Sequence, residues 1–181
     1  GDNGIEADNN AENNDLSPRS HPVLSNITVI GSPSSAASDF GALLREGTEG
    51  ELHNVVIAGF NEACLSMSQA ATLDRIDAGD LVMKSSLLDC ATSFLTDDDN
   101  GDVLDADIQA FFEAQASNVI EAAGLTAPFD EASPDFRPAS GSAAASGGQA
   151  PSDSFFEAVS YRGGVDPSND WTVGWTTSDP N

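Results

Sequence analysis

The chain has 181 residues, 30 acidic against 6 basic side chains, and a formal net charge of −24. Its length suits one domain with an appended segment, and its 39% hydrophobic content supports a core, but Leu, Ile, Val and Phe reach only about 22%, near the border of disorder. Without clustered Lys or Arg the charge argues against nucleic acid and anionic membrane as partners, and no apolar run approaches the roughly 18 residues of a membrane span.

The opening Gly1-Asp2-Asn3-Gly4-Ile5-Glu6-Ala7-Asp8 reads as the middle of a structured element, so an upstream part of the same polypeptide is expected. Residues 9–20 are rich in Asn, Asp and Glu and end at Ser17-Pro18, a turn-rich connection. A repeat follows. Asn26-Ile27-Thr28-Val29-Ile30-Gly31 returns as Asn54-Val55-Val56-Ile57-Ala58-Gly59, with a weaker echo at Ser86-Leu87-Leu88-Asp89-Cys90. Each is a short aliphatic or β-branched run closed by a small residue, which is a strand signal. A second family alternates with it: Gly4–Asn9, Ala42-Leu43-Leu44-Arg45-Glu46-Gly47, Ala63-Cys64-Leu65-Ser66-Met67 and Ala91–Leu95.

Two alternating families of short strands predict an all-β solenoid of stacked coils over residues 1–96. One strand pair cannot bury its apolar face, but passes stacked about 4.8 Å apart build a continuous core. The register sets Ile27 over Val55, Val29 over Ile57, and Asn26 over Asn54 at a corner. An antiparallel sandwich of similar strands is the competing reading.

Residues 97–125 read as an acidic loop plus helix, with the helix over 105–123 and a stripe of Ile108, Phe111, Phe112, Val119 and Ile120. Gly124 is placed to end it. Residues 126–153 are a Pro/Ala/Ser/Gly-rich connection without core-forming residues. Residues 154–181 regain aromatic side chains and are read as a C-terminal capping segment, closing the end of the stack or docking on its side.

Candidate chemistry is sparse. Cys64 and Cys90 lie about one coil apart, which brings them within disulfide reach and implies an oxidising compartment. In the acidic loop, Asp98, Asn100, Asp102 and Asp107 partly match a Ca²⁺ loop around Gly101, although Thr96 stands where an EF-hand needs Asp and Asp107 where it needs Glu. Trp171 and Trp175, four apart, fall on one face of an extended segment, as a cap or a sugar-stacking platform. His21 and His53 read as structural. Arg45 or Lys84 could serve as the base of a lyase, but no cluster of bases and carboxylates stands out and no catalytic set emerges. Asn26-Ile27-Thr28 also spells a glycosylation sequon.

Gly4–Asn9, Pro22–Gly31, Leu43–Gly47, Asn54–Val56, Phe155–Gly164 and Asp170–Trp175 together resemble the C-terminal portion of secreted or lipid-anchored right-handed parallel β-helix proteins of Gram-negative bacteria. The likeness covers about 100 residues and leaves 97–153 as an insertion. It implies the pectate-lyase-like fold and an extracellular or outer-membrane location. It transfers no catalytic residue, because most members have no assigned reaction. The expectation is a non-enzymatic surface protein serving adhesion, assembly or envelope structure, with polysaccharide or a second copy as partner. The alternative is a carbohydrate-active β-helix, either a Ca²⁺-dependent polysaccharide lyase or a glycan-binding module.

Overall fold

The computed structural model describes residues 2–177. In chain order it forms β1 (Ile5–Asp8), β2 (Val23–Ile30), β3 (Phe40–Arg45), β4 (Gly50–Ala58), β5 (Ala63–Met67), α1 (Ala70–Ala78), β6 (Leu81–Lys84), β7 (Leu87–Asp89), α2 (Asp105–Ala114), β8 (Val119–Ile120), β9 (Leu125–Ala127) and β10 (Asp135–Pro138). The chain alternates between two parallel sheets. One has the order β1-β3-β5; the other runs β2-β4-β7-β8, with β6 beside the first half of β4. Parallel neighbours need a crossover between them, and here the crossover is a strand of the other sheet.

The register is the one read from the repeat: Ile27 opposite Val55, and Val29 opposite Ile57. Inward residues of both sheets, Ala42, Leu44, Leu52, Val55, Ile57, Leu65 and Met67, form one buried core. Gly41 permits the close approach of the sheets. A Cβ there would lie 2.0 Å from Ile57 Cγ2 and 2.6 Å from the Cys64 carbonyl oxygen.

A corner runs through the second sheet. Asn26, Asn54, Ser85 and Ser117 all have positive φ, at 58, 55, 54 and 64°. Asn tolerates this left-handed conformation better than most residues. Asn54 Nδ2 donates to Asn26 Oδ1 at 2.9 Å. One residue further on, Val55 N–H donates to Ser86 Oγ and Ser86 N–H to Asn118 Oδ1. The expected Asn stack is therefore continued by hydroxyl and amide groups in later passes.

Two helical expectations change. α2 ends at Ala114, not near 123, because Val119 and Ile120 pair in parallel with Leu87 and Leu88. The β-branched pair follows the sheet rather than the helix, and Gly124 bends a loop with φ 66°. α1 is additional. It fills the connection between β5 and β6 and ends at left-handed Gly79. α2 buries Ile108, Phe111 and Phe112 in the common core, with Phe112 5.7 Å from Phe94, so the helix covers the core there.

The connection 126–153 is also more ordered than its composition suggests. β9 and β10 pair antiparallel, and Ala144 is fully buried against Val56, Leu87 and Ala123. Val56 and Leu87 alternate with the inward residues of their strands, so β4 and β7 bury both faces here. The last segment docks on the side of the stack. Asn26 Nδ2 donates to the Glu157 carbonyl, Asn54 Nδ2 to the Tyr161 carbonyl, and Gly164 N–H to Thr28 Oγ1.

The three longest connections between the two sheets fall on one flank. Residues 9–22, 68–80 and 95–118 run from the first sheet to the second, and the last two carry α1 and α2.

Candidate functional site

The docking of the C-terminal segment creates a hollow of about 490 Å³ beside β2, between that strand and the chain around Trp171. Asn26, Thr28 and Ile30 come from the strand, Phe136 from β10, and Gly164, Val165, Trp171 and Thr172 from the tail. A second hollow of about 600 Å³ shares Ile30 and Phe136 and continues past Pro33, Ser34, Phe129, Asp130 and Glu131. The two make one groove on the outside of the stack. Thr28 is fixed by the Gly164 N–H it accepts at 3.0 Å.

Trp171 is held by its own polar edge: Nε1 donates to the Gly164 carbonyl at 2.7 Å. Trp175 stacks on it, centroids 5.5 Å apart and planes at 24°, and donates to the Trp171 carbonyl. The pair sits on a turn, with Thr176 N–H donating to the Thr172 carbonyl, rather than on the extended segment expected. Both rings stay open to solvent, Trp171 at 49% and Trp175 at 68%.

The bases lie elsewhere. Arg45 bridges Asp8, at 2.9 Å, and Glu6, and the hydrogen bond to Asp8 raises its pKa. Arg19 and Arg75 both reach Glu49, and Arg137 pairs with Asp135. Arg162 is buried and donates to the carbonyls of Ala143, Ser146 and Ser117; desolvation lowers its pKa. His21 donates to Glu49 and His53 to Glu51, each at 3.0 Å, and Lys84 stands next to His53 in register. The hydrogen bond from His53 holds the Glu51 carboxyl below its usual range. This charged ladder has acid–base pairs, but none of its residues lines either part of the groove.

The stacked parallel strands, their aligned corner and this side groove frame a comparison with known proteins. A family model described as pectate-lyase like beta helix domain matches residues 1–176. The chain belongs to this family. No curated protein matches it, and no solved structure does. The matched span of the β-helix domain runs through 97–153 as well as through the strands.

Within the β-helix domain, Cys64 and Cys90 form the expected disulfide, with Cα atoms 5.5 Å apart. The acidic loop places its carboxylates on backbone groups. Asp98 Oδ2 accepts from Asp102 and Val103 N–H, Asp107 Oδ2 from Leu104 N–H, and Asp105 Oδ1 from Thr96 N–H. Burial opposes ionisation of Asp98, but these N–H donors prevail and lower its pKa. Among the described residues, no three His, Cys, Asp or Glu side chains gather to hold a metal ion. The sequon amide of Asn26 is occupied by the Glu157 carbonyl and by Asn54.

Sequence reasoning found Trp171 but not its groove partners. Thr28 and Phe136 carried no local signal, because the groove exists only once the tail has returned to β2.

Proposed function

We propose that this β-helix domain is a non-catalytic, glycan-binding module of an extracellular or cell-surface protein, serving in adhesion. The observation that carries the reading is the groove beside β2, where the solvent-open ring of Trp171 and the ring of Phe136 meet the Thr28 hydroxyl. Sugars present apolar C–H faces and a rim of hydroxyl groups, and an aromatic shelf with a few fixed polar groups matches both. The Cys64–Cys90 disulfide supports an oxidising, exterior habitat. The passes are taken to wind as a closed right-handed solenoid, the hand that parallel crossovers overwhelmingly adopt.

The lyase alternative calls for a base beside carboxylates in a groove. Arg45 has two carboxylates and Lys84 has Glu51 nearby, but both stand away from the groove. Native electrophoresis in gels cast with a panel of soluble polysaccharides tests the binding. Retardation by at least one polymer is expected, together with no rise in the ultraviolet absorbance that marks unsaturated lyase products. Catalytic turnover would overturn the non-enzymatic assignment, and migration unchanged in every gel would overturn glycan binding.

A further inference from the structure

We infer that the groove selects uncharged glycans and rejects uronate polymers; this rests on the glycan-binding reading above. Among the described residues, the first hollow is lined by no charged side chain, and the charged side chains of the adjoining one are both acids, Asp130 and Glu131. Glu131 Oε1 already accepts from the Ser34 hydroxyl at 3.1 Å, and a carboxylate can accept from more than one hydroxyl group.

The nearest base along the chain, Arg137, follows Phe136 but is held by both carboxylate oxygens of Asp135, at 2.9 and 2.6 Å. Arg19, Arg45 and Arg75 are engaged by carboxylates, Arg162 is buried on backbone carbonyls, and Lys84, opposite His53 in register, lines neither hollow. A uronate in the groove would thus lose hydration without gaining a cation, inside a chain of net charge −24. A neutral hexose polymer meets no such penalty. Its apolar faces stack on Trp171 and Phe136, while its hydroxyl groups donate to Asp130 and Glu131.

Selectivity of this kind has a signature in salt. Binding of a neutral polymer without ion pairing changes little with ionic strength, whereas charge-driven binding weakens steeply as charges are screened. The test is isothermal titration of the intact chain with oligosaccharides of a neutral β-glucan, a neutral mannan, polygalacturonate and alginate, each at low and high NaCl. Binding of a neutral oligosaccharide, with affinity independent of salt, is expected. Trp171→Ala should weaken it about tenfold, the scale of one lost aromatic contact. Phe136→Ala tests the opposite wall, and circular dichroism confirms that each variant is folded. Salt-sensitive binding of the uronate oligomers would overturn the selectivity and leave glycan binding standing. Neutral binding that neither variant weakens would overturn the groove as its site. Silence with all four ligands would overturn selectivity and glycan binding together.

Discussion

Replacing Asn54 by Ala removes a side chain that does two jobs at once. It is fully buried with φ at 55°, and its amide joins Asn26 to the returning tail. Nδ2 donates to Asn26 Oδ1 at 2.9 Å and the Tyr161 carbonyl at 3.1 Å, and Oδ1 accepts from Gly163 N–H at 3.2 Å. Alanine in the left-handed region costs about 1 kcal/mol. A buried N–H left without an acceptor costs about 1–3 kcal/mol. Together these give a loss of roughly 2–4 kcal/mol, a large share of the stability of an ordinary domain. Asn54→Gly relieves the backbone strain and should be milder by about 1 kcal/mol. Asn54→Asp keeps the acceptor for Gly163 but turns a carboxylate toward Asn26 Oδ1 and the Tyr161 carbonyl, so it should resemble or exceed the alanine change. Urea unfolding measures the series, with far-ultraviolet circular dichroism reporting the stacked strands and Trp171/Trp175 fluorescence reporting the tail. An alanine variant within about 0.5 kcal/mol of wild type, the range of ordinary surface changes, would refute the corner as a stabilising element. So would a glycine variant weaker than the alanine one.

Three further outcomes follow from the same contacts. Cys64→Ser/Cys90→Ser releases a 26-residue closure and should reduce stability by about 3–4 kcal/mol, read as a lower urea midpoint. Gly148→Ala would set a Cβ 1.8 Å from the Tyr161 carbonyl oxygen, so limited proteolysis should cut the tail faster than in wild type while circular dichroism of the strands persists. The Glu51 carboxyl is held low by His53, so its stabilising contribution is present above about pH 4, its unfolded value, and is lost as pH falls through its lower folded value. The stability difference between wild type and Glu51→Gln should therefore shrink between pH 5 and pH 3, and a constant difference would contradict the pairing.

The parallel register was legible because Asn26-Ile27-Thr28-Val29 and Asn54-Val55-Val56-Ile57 repeat both the corner and the inward residues. The disulfide was legible for the same reason: once passes stack, sequence spacing becomes distance. Other features escaped where long-range pairing overrode local preference. Val119 and Ile120 continue an apolar stripe that suits a helix, but Leu87 and Leu88 offer them a strand edge. The Ala-rich stretch around Ala144 looks unable to build a core, yet a small side chain is what fits against Val56 and Leu87. In the acidic loop, the spacing of the carboxylates was legible, but not that Asp98 and Asp107 accept from the N–H groups of Asp102 and Leu104. The groove was least readable of all, since Thr28 meets Gly164 across 136 positions of sequence.

The one-sided placement of the long connections has a consequence for how such a chain can change over time. Corner-ladder contacts are separated by 28, 31 and 32 residues in successive passes, so pass length is free to drift while the corner restores alignment each time. The extra residues leave through the same flank, where α1 and α2 already emerge. That flank can therefore accept grafted loops or whole elements at little loss of register. A single residue inserted between Asn54 and Ile57 would instead turn the inward side chains of β4 outward. The domain thus keeps a conservative interior and a permissive margin within one short chain, and new recognition segments would be expected to accumulate along the margin.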